Sequence, residues 1–116
     1  KQGHFSRSVE FLEQARRVYE TKLGNEHGLV GEVCNLLGVV YDEIKQWDQA
    51  LYMYTEALRI FLLNDDVESL FKAHNNAAVV RRKKEDFDGA LRDYTSALEA
   101  GRKIKREGGA SLRDIT

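Results

Sequence analysis

Trp47-Asp48-Gln49-Ala50-Leu51-Tyr52-Met53-Tyr54-Thr55-Glu56-Ala57-Leu58 decides the fold, because the chain writes it again forty positions later. There it reads Phe87-x-x-Ala90-Leu91-x-x-Tyr94-x-x-Ala97-Leu98. A weaker copy opens the chain, Phe5-x-x-Ser8-Val9-x-x-Leu12-x-x-Ala15, offset by forty-two. Upstream of the central copy stands Leu37-Gly38-x-x-Tyr41, and Ala77-Ala78 occupies the matching place before the last one. A period in this range marks stacked supersecondary units, each too small to cover its own apolar face. Such arrays bind other molecules far more often than they catalyse.

Apolar residues recur at three-and-four spacing, as in Val33, Leu37, Val40, Tyr41, Ile44 and then Leu51, Tyr54, Leu58, Phe61. With no proline anywhere, the punctuation predicts five helices. They run from about Ser6 to Lys22, His27 to Lys45, Asp48 to Leu63, after Asn64-Asp65-Asp66 to Lys84, and Asp88 to Arg106. Gly24 supplies a left-handed cap after the first, and Asn64-Asp65-Asp66 supplies capping side chains for the fourth. Arg81-Arg82-Lys83-Lys84 closes the fourth with the charge its dipole favours, and Gly108-Gly109 is expected to stop the fifth. Helices joined by corners this short should lie antiparallel. Gly38, Ala50 and Ala57 leave room for Tyr41, Trp47 and Tyr54 to lock over them.

At 116 residues with 42% apolar content, the chain can bury a core and is not disordered. Its net charge of −1 points to neither nucleic acid nor a membrane surface. The distribution is more telling: residues 25–70 carry net −7, residues 71–116 net +4 and residues 1–24 net +2. This polarity can orient a partner or a neighbouring unit. Cys34 is the only cysteine and reads as a small buried hydrophobe. No stretch approaches the roughly 20 apolar residues of a membrane span. No signal-peptide layout is seen, so a cytosolic setting is expected.

Leu37-Gly38-x-x-Tyr41 … Trp47-x-x-Ala50-x-x-x-Tyr54-x-x-Ala57 resembles the tetratricopeptide repeat. The likeness covers repeats at about 31–64 and 71–103 and the back half of one at 3–23. Together these make a repeat domain over residues 1–107, with 108–116 a tail or the start of a further helix. The leading tryptophan and closing proline are absent, and Arg81 stands where Tyr41 has an aromatic ring. The forty-residue period is similar to that of the long-repeat branch seen in kinesin light chains and G-protein-regulator adaptors. The half repeat at the start marks the chain as a piece of a longer array.

The resemblance implies an all-α right-handed superhelix of antiparallel helix pairs. The first helix of each pair would line a concave groove that takes an extended or helical peptide of a partner protein. Projected here, the groove positions are Glu32, Asn35, Val39, Asp42 and Glu43 on the second helix. On the fourth they are Lys72, Asn75, Asn76, Val79, Arg82 and Lys83. An asparagine amide both donates to and accepts from a peptide backbone whatever its sequence. The competing readings are that these asparagines are solvated or capping, that the Arg81–Lys84 run is a solvated helix end, and that Asp42-Glu43 pair with a stacked helix. The carboxylate clamp that other repeats use for chaperone tails is not matched, since Asn35 and Val39 stand where its lysine and asparagine belong.

No H-E-x-x-H, C-x-x-C, phosphate loop or nucleophile elbow occurs, and His4, His27 and His74 have no ligand-like spacing. The sequence therefore calls for no enzyme, cofactor or metal, and for a protein or peptide partner without nucleic acid or membrane insertion. Two other readings stay open. One is a structural segment of a longer array that self-associates through an uncovered first helix at Val9, Leu12 or Tyr19. The other is a peptide-sensing regulatory domain.

Overall fold

A computed structural model describes the backbone of residues 2–115 and the side chains of residues 3–107. Five helices follow one another: α1 Gln2–Leu23, α2 Gly28–Glu43, α3 Trp47–Leu63, α4 Val67–Lys83 and α5 Phe87–Ile115. The fold is all-α, as the repeat requires. Pairs α2–α3 and α4–α5 pack most extensively; α3–α4 and α1–α2 join the pairs, and α2 also touches α4. This is the adjacency of a solenoid, in which each pair meets only its neighbours. The radius of gyration, 15.5 Å, exceeds the ~13 Å of a compact domain of this length, as stacking in one direction demands.

All four helix-to-helix corners turn through a left-handed residue, and the last three share one construction. Lys45, Asp65 and Glu85 take positive φ of 61°, 53° and 64°, and Gly24 takes 95°. After each of the three non-glycine corner residues, an amide reaches back five positions: Gln46 N to Tyr41 O, Asp66 N to Phe61 O and Asp86 N to Arg81 O, at 2.8–2.9 Å. These bonds satisfy carbonyls left over at the helix ends, the 6→1 bond of a Schellman turn. The three corners are twenty residues apart, so one helix with its corner is half the period seen in the sequence. Asp66 and Asp86 then cap the next helices, accepting from Ser69 N at 3.2 Å and Gly89 N at 3.0 Å.

The core lies between α2 and α3, with Val30, Cys34, Leu37, Ile60 and Phe61 all almost inaccessible. Each large side chain buried there contributes about 1.5–3 kcal/mol. A second cluster joins Ala50 and Tyr54 of α3 to Ala77 and Val80 of α4. Gly38 is what lets α2 approach the same tyrosine: a Cβ built there would lie 2.5–2.8 Å from three atoms of the Tyr54 ring. Ala78, the repeat equivalent of Gly38, is buried, whereas Tyr94, the equivalent of Tyr54, is more open.

Two expectations need correcting. Helix α5 does not stop at Gly108-Gly109 but runs to Ile115. Each glycine costs a helix only about 1 kcal/mol relative to alanine, and without proline or a closing corner that does not end it. Nor are Val9, Leu12 and Tyr19 the uncovered part of α1, since they pack against the α2 core. The uncovered side is the adjoining stripe, where Phe11 is 70% and Val18 50% exposed.

Gly38→Ala should lower stability by about 1–3 kcal/mol, read as a lower urea midpoint at unchanged slope, because the Tyr54 ring has no room to yield. Glu85→Gly should raise it by up to about 1 kcal/mol by relieving a left-handed non-glycine corner. A neutral Gly38→Ala variant would remove the close approach from the account of the core.

Candidate peptide-binding face

Helices α2 and α4 are the first members of successive pairs and lie side by side, so the predicted residues share one face. Two contacts tie that face together. Asn76 Nδ2 donates to Asn35 Oδ1 at 3.3 Å, and Lys83 Nζ donates to Asp42 Oδ1 and Oδ2 at 2.8 and 3.1 Å. Both partners are forty-one residues apart, one more than the repeat.

Around these links the remaining positions differ in availability. Glu32, Val39, Glu43, Lys72 and Arg82 are exposed, and Asn75 and Val79 are half-buried. Among the described residues, none of Glu32, Glu43, Lys72 and Arg82 forms an ion pair. Asp42, by contrast, is already answered by Lys83. The basic run at the end of α4 is therefore not simply a solvated cluster. Lys83 holds α2, Lys84 holds Asp48 of α3, and Arg81 turns toward α5.

Arg81 explains the most visible departure from the repeat. Its Nε donates to Asp93 Oδ2 at 2.6 Å, and His74 Nδ1 lies 3.1 Å from Asp93 Oδ1. In the preceding repeat the same three places hold Tyr41, Met53 and Cys34, which pack as part of one apolar core. An apolar triple in one repeat is thus a polar triple in the next, with both Asp93 oxygens answered. Arg81 also reaches Asp86 at 3.4 Å. The Gly89 N–H bond and this guanidinium hold the Asp86 carboxyl below its ordinary value.

Cys34 is 1% exposed, and burial pushes its thiol up to about 11, so little thiolate exists near neutral pH. Among the described residues no three His, Cys, Asp or Glu side chains gather as a metal site would need. No helix among them is long and apolar enough to cross a membrane.

Sequence reasoning passed over a cleft of about 460 Å³ between α1 and α2, lined by His4, Arg7, Phe11 and Leu12 on one side and Leu36 and Val39 on the other. The signal was present in the forty-two-residue offset, which aligns Phe11 with Met53.

Antiparallel helix pairs stacked by a repeated corner, with the first helices sharing an open face, define a helical-repeat solenoid. The sequence model of the tetratricopeptide repeat matches residues 1–62, more than half of the chain, and the protein belongs to that family. The family is generally a protein–protein interaction module and typically a non-enzymatic scaffold. Among curated proteins none matches the sequence.

Asp93→Met alone should cost about 1–3 kcal/mol, because it leaves His74 without its acceptor and Arg81 with only the longer contact to Asp86. Adding Arg81→Tyr and His74→Cys should recover most of that loss by restoring the apolar triple of the preceding repeat. Thermal melts of the single and triple variants decide the matter; a triple variant as unstable as the single one would contradict the equivalence. Thiol titration makes a second check. Cys34 should react with an aromatic disulfide reagent only at the rate of unfolding, and prompt reaction in buffer would contradict its burial.

Proposed function

We propose that the α2/α4 face docks a segment of a partner protein, with the asparagine amides reading its backbone and the flanking charges setting its direction. The observation that carries this reading is the pairing of Asn35 with Asn76 across two repeats, with half-buried Asn75 beside it. An amide pair of this kind retains free donor and acceptor capacity, since each asparagine has more sites than one shared bond uses. Acidic Glu32 and Glu43 flank it on α2, and basic Lys72 and Arg82 flank it on α4. A bound segment would accordingly place basic side chains over α2 and acidic ones over α4.

Asp42 and Lys83 belong to the frame of this face rather than to its free charge, because they answer each other. Charge reversal at Asp42 would strain the stack as well as any complex, whereas Arg82 can be reversed at little structural cost.

A displayed peptide library panned against the intact chain tests the proposal. Selected peptides should lose about tenfold or more in affinity for a variant carrying Asn35→Ala, Asn75→Ala and Arg82→Glu, while its melting temperature falls only slightly. Affinity unchanged by that triple substitution would refute docking on this face.

A further inference from the structure

The helices that do not share the α2/α4 face, α1, α3 and α5, form the other layer of the stack, with α3 between the other two. The outward side of α3 is unlike theirs. Tyr52 and Leu62 are 62% and 70% exposed there. Their exposure owes nothing to a missing neighbour, because a helix stands on either side of α3. The equivalents of Tyr52 on α1 and α5 are Glu10 and Arg92, and those of Leu62 are Glu20 and Arg102. Between these levels stands Arg59, with Arg17 and Glu99 as its equivalents. Level by level, then, the two flanks of α3 carry opposite signs. Among the described residues Glu10, Arg17, Arg92, Glu99 and Arg102 form no ion pair, and Glu20 is shared with Arg16 at 3.4 Å.

We infer that this layer binds a second copy of the chain, face to face, about a two-fold axis running along α3. A surface whose two flanks are opposite in charge about an apolar line is complementary to itself, as an isologous interface requires. The apolar side chains place the axis on α3. Such an axis sets the two α3 helices parallel, so Tyr52 and Leu62 each meet their own counterpart. It also brings α1 of each copy over α5 of the other. Glu10 then faces Arg92, Arg17 faces Glu99 and Glu20 faces Arg102, each pair occurring twice. An antiparallel seating would oppose Glu10 to Glu20 and Arg92 to Arg102, like signs that the parallel seating avoids. Like charge falls on the axis at Arg59 alone. There the guanidinium is already drawn to Glu56 and Glu26, at 3.4 and 3.7 Å. Thr55, also on the axis, donates its hydroxyl to Leu51 O at 2.8 Å and adds no polar demand. The second copy sits on the layer opposite the α2/α4 face, so neither reading rests on the other.

Sedimentation of the intact chain tests the inference. It should dimerise reversibly at about 100 μM. Tyr52→Glu, at an exposed position, should abolish the dimer. Glu10→Arg and Arg92→Glu should each weaken it about tenfold or more, with the melting temperature of the dilute monomer unchanged. An equimolar mixture of those two variants should regain association as a mixed dimer, because both flank contacts then join opposite charges again. Leu36→Glu, in the α1/α2 cleft, should leave the dimer intact. A chain that stays monomeric up to about 1 mM overturns the inference. So does a dimer indifferent to Tyr52→Glu, one that Leu36→Glu dissolves, or a mixture no more associated than either variant alone.

Discussion

The Tyr54 ring is held by three helices at once, and the stack depends on it. It rises from α3, lies against the missing side chain of Gly38 in α2, and meets Ala77 and Val80 of α4. The contact within a pair and the contact between pairs therefore share one side chain that is 2% exposed. Small residues around it set the helix separations, so that a single added methyl would be felt at both interfaces. Tyr94 repeats the residue and only part of the setting. Its α4 carries Ala78 in the place of Gly38, but among the described residues no further helix stacks beyond α5, and it is 37% exposed. Whether such a tyrosine is core or surface depends on its neighbours, not on its own type.

The second pair shows how a repeat can change chemistry without changing shape. Cys34, Tyr41 and Met53 become His74, Arg81 and Asp93, three substitutions that each look unfavourable alone. Together they replace dispersion contacts by two hydrogen bonds accepted by one carboxylate. An arginine in an aromatic position would ordinarily count against membership of the repeat. Here it is the donor that makes the aspartate tolerable. Reading along one helix misses this compensation, because the two halves lie on different helices.

That distinction governs what was legible in the sequence. Five helices, their order and the tight corners are dictated by apolar spacing and by residues such as Asp66 and Gly24. The left-handed corners at Lys45, Asp65 and Glu85 were not visible in residue type, since none is glycine; only their equal spacing of twenty betrays them. The glycine pair near the end misled because glycine weakens a helix without supplying a corner. On the α2/α4 face the reading that Asp42 pairs with a stacked helix holds, through Lys83, but residue type did not single out the partner. Asp42 invites comparison with Arg82, its repeat equivalent, yet it meets Lys83. Successive first helices stack with a stagger of one residue, so equivalents identify a shared role and the next residue identifies the contact.

The charge polarity along the chain acts within the same stack. Asp42 with Lys83, Asp48 with Lys84 and Asp65 with Lys103 all join the acidic middle of the chain to its basic end. Exposed pairs of this sort contribute at most about 1 kcal/mol each, too little to explain why the helices associate. They can select how the helices associate. Sliding α4 along α2 would break the Asn35–Asn76 and Asp42–Lys83 contacts together. Polarity thus adds to the packing in fixing register. Glu43 shows the consequence: it sits where Lys83 sits one repeat later, so the edge of α2 carries the opposite sign to the edge of α4. A helix stacking on α2 must answer a carboxylate where α2, stacking on α4, answers an ammonium. The two edges are unlike for that reason, and a helix suited to one is charged wrongly for the other.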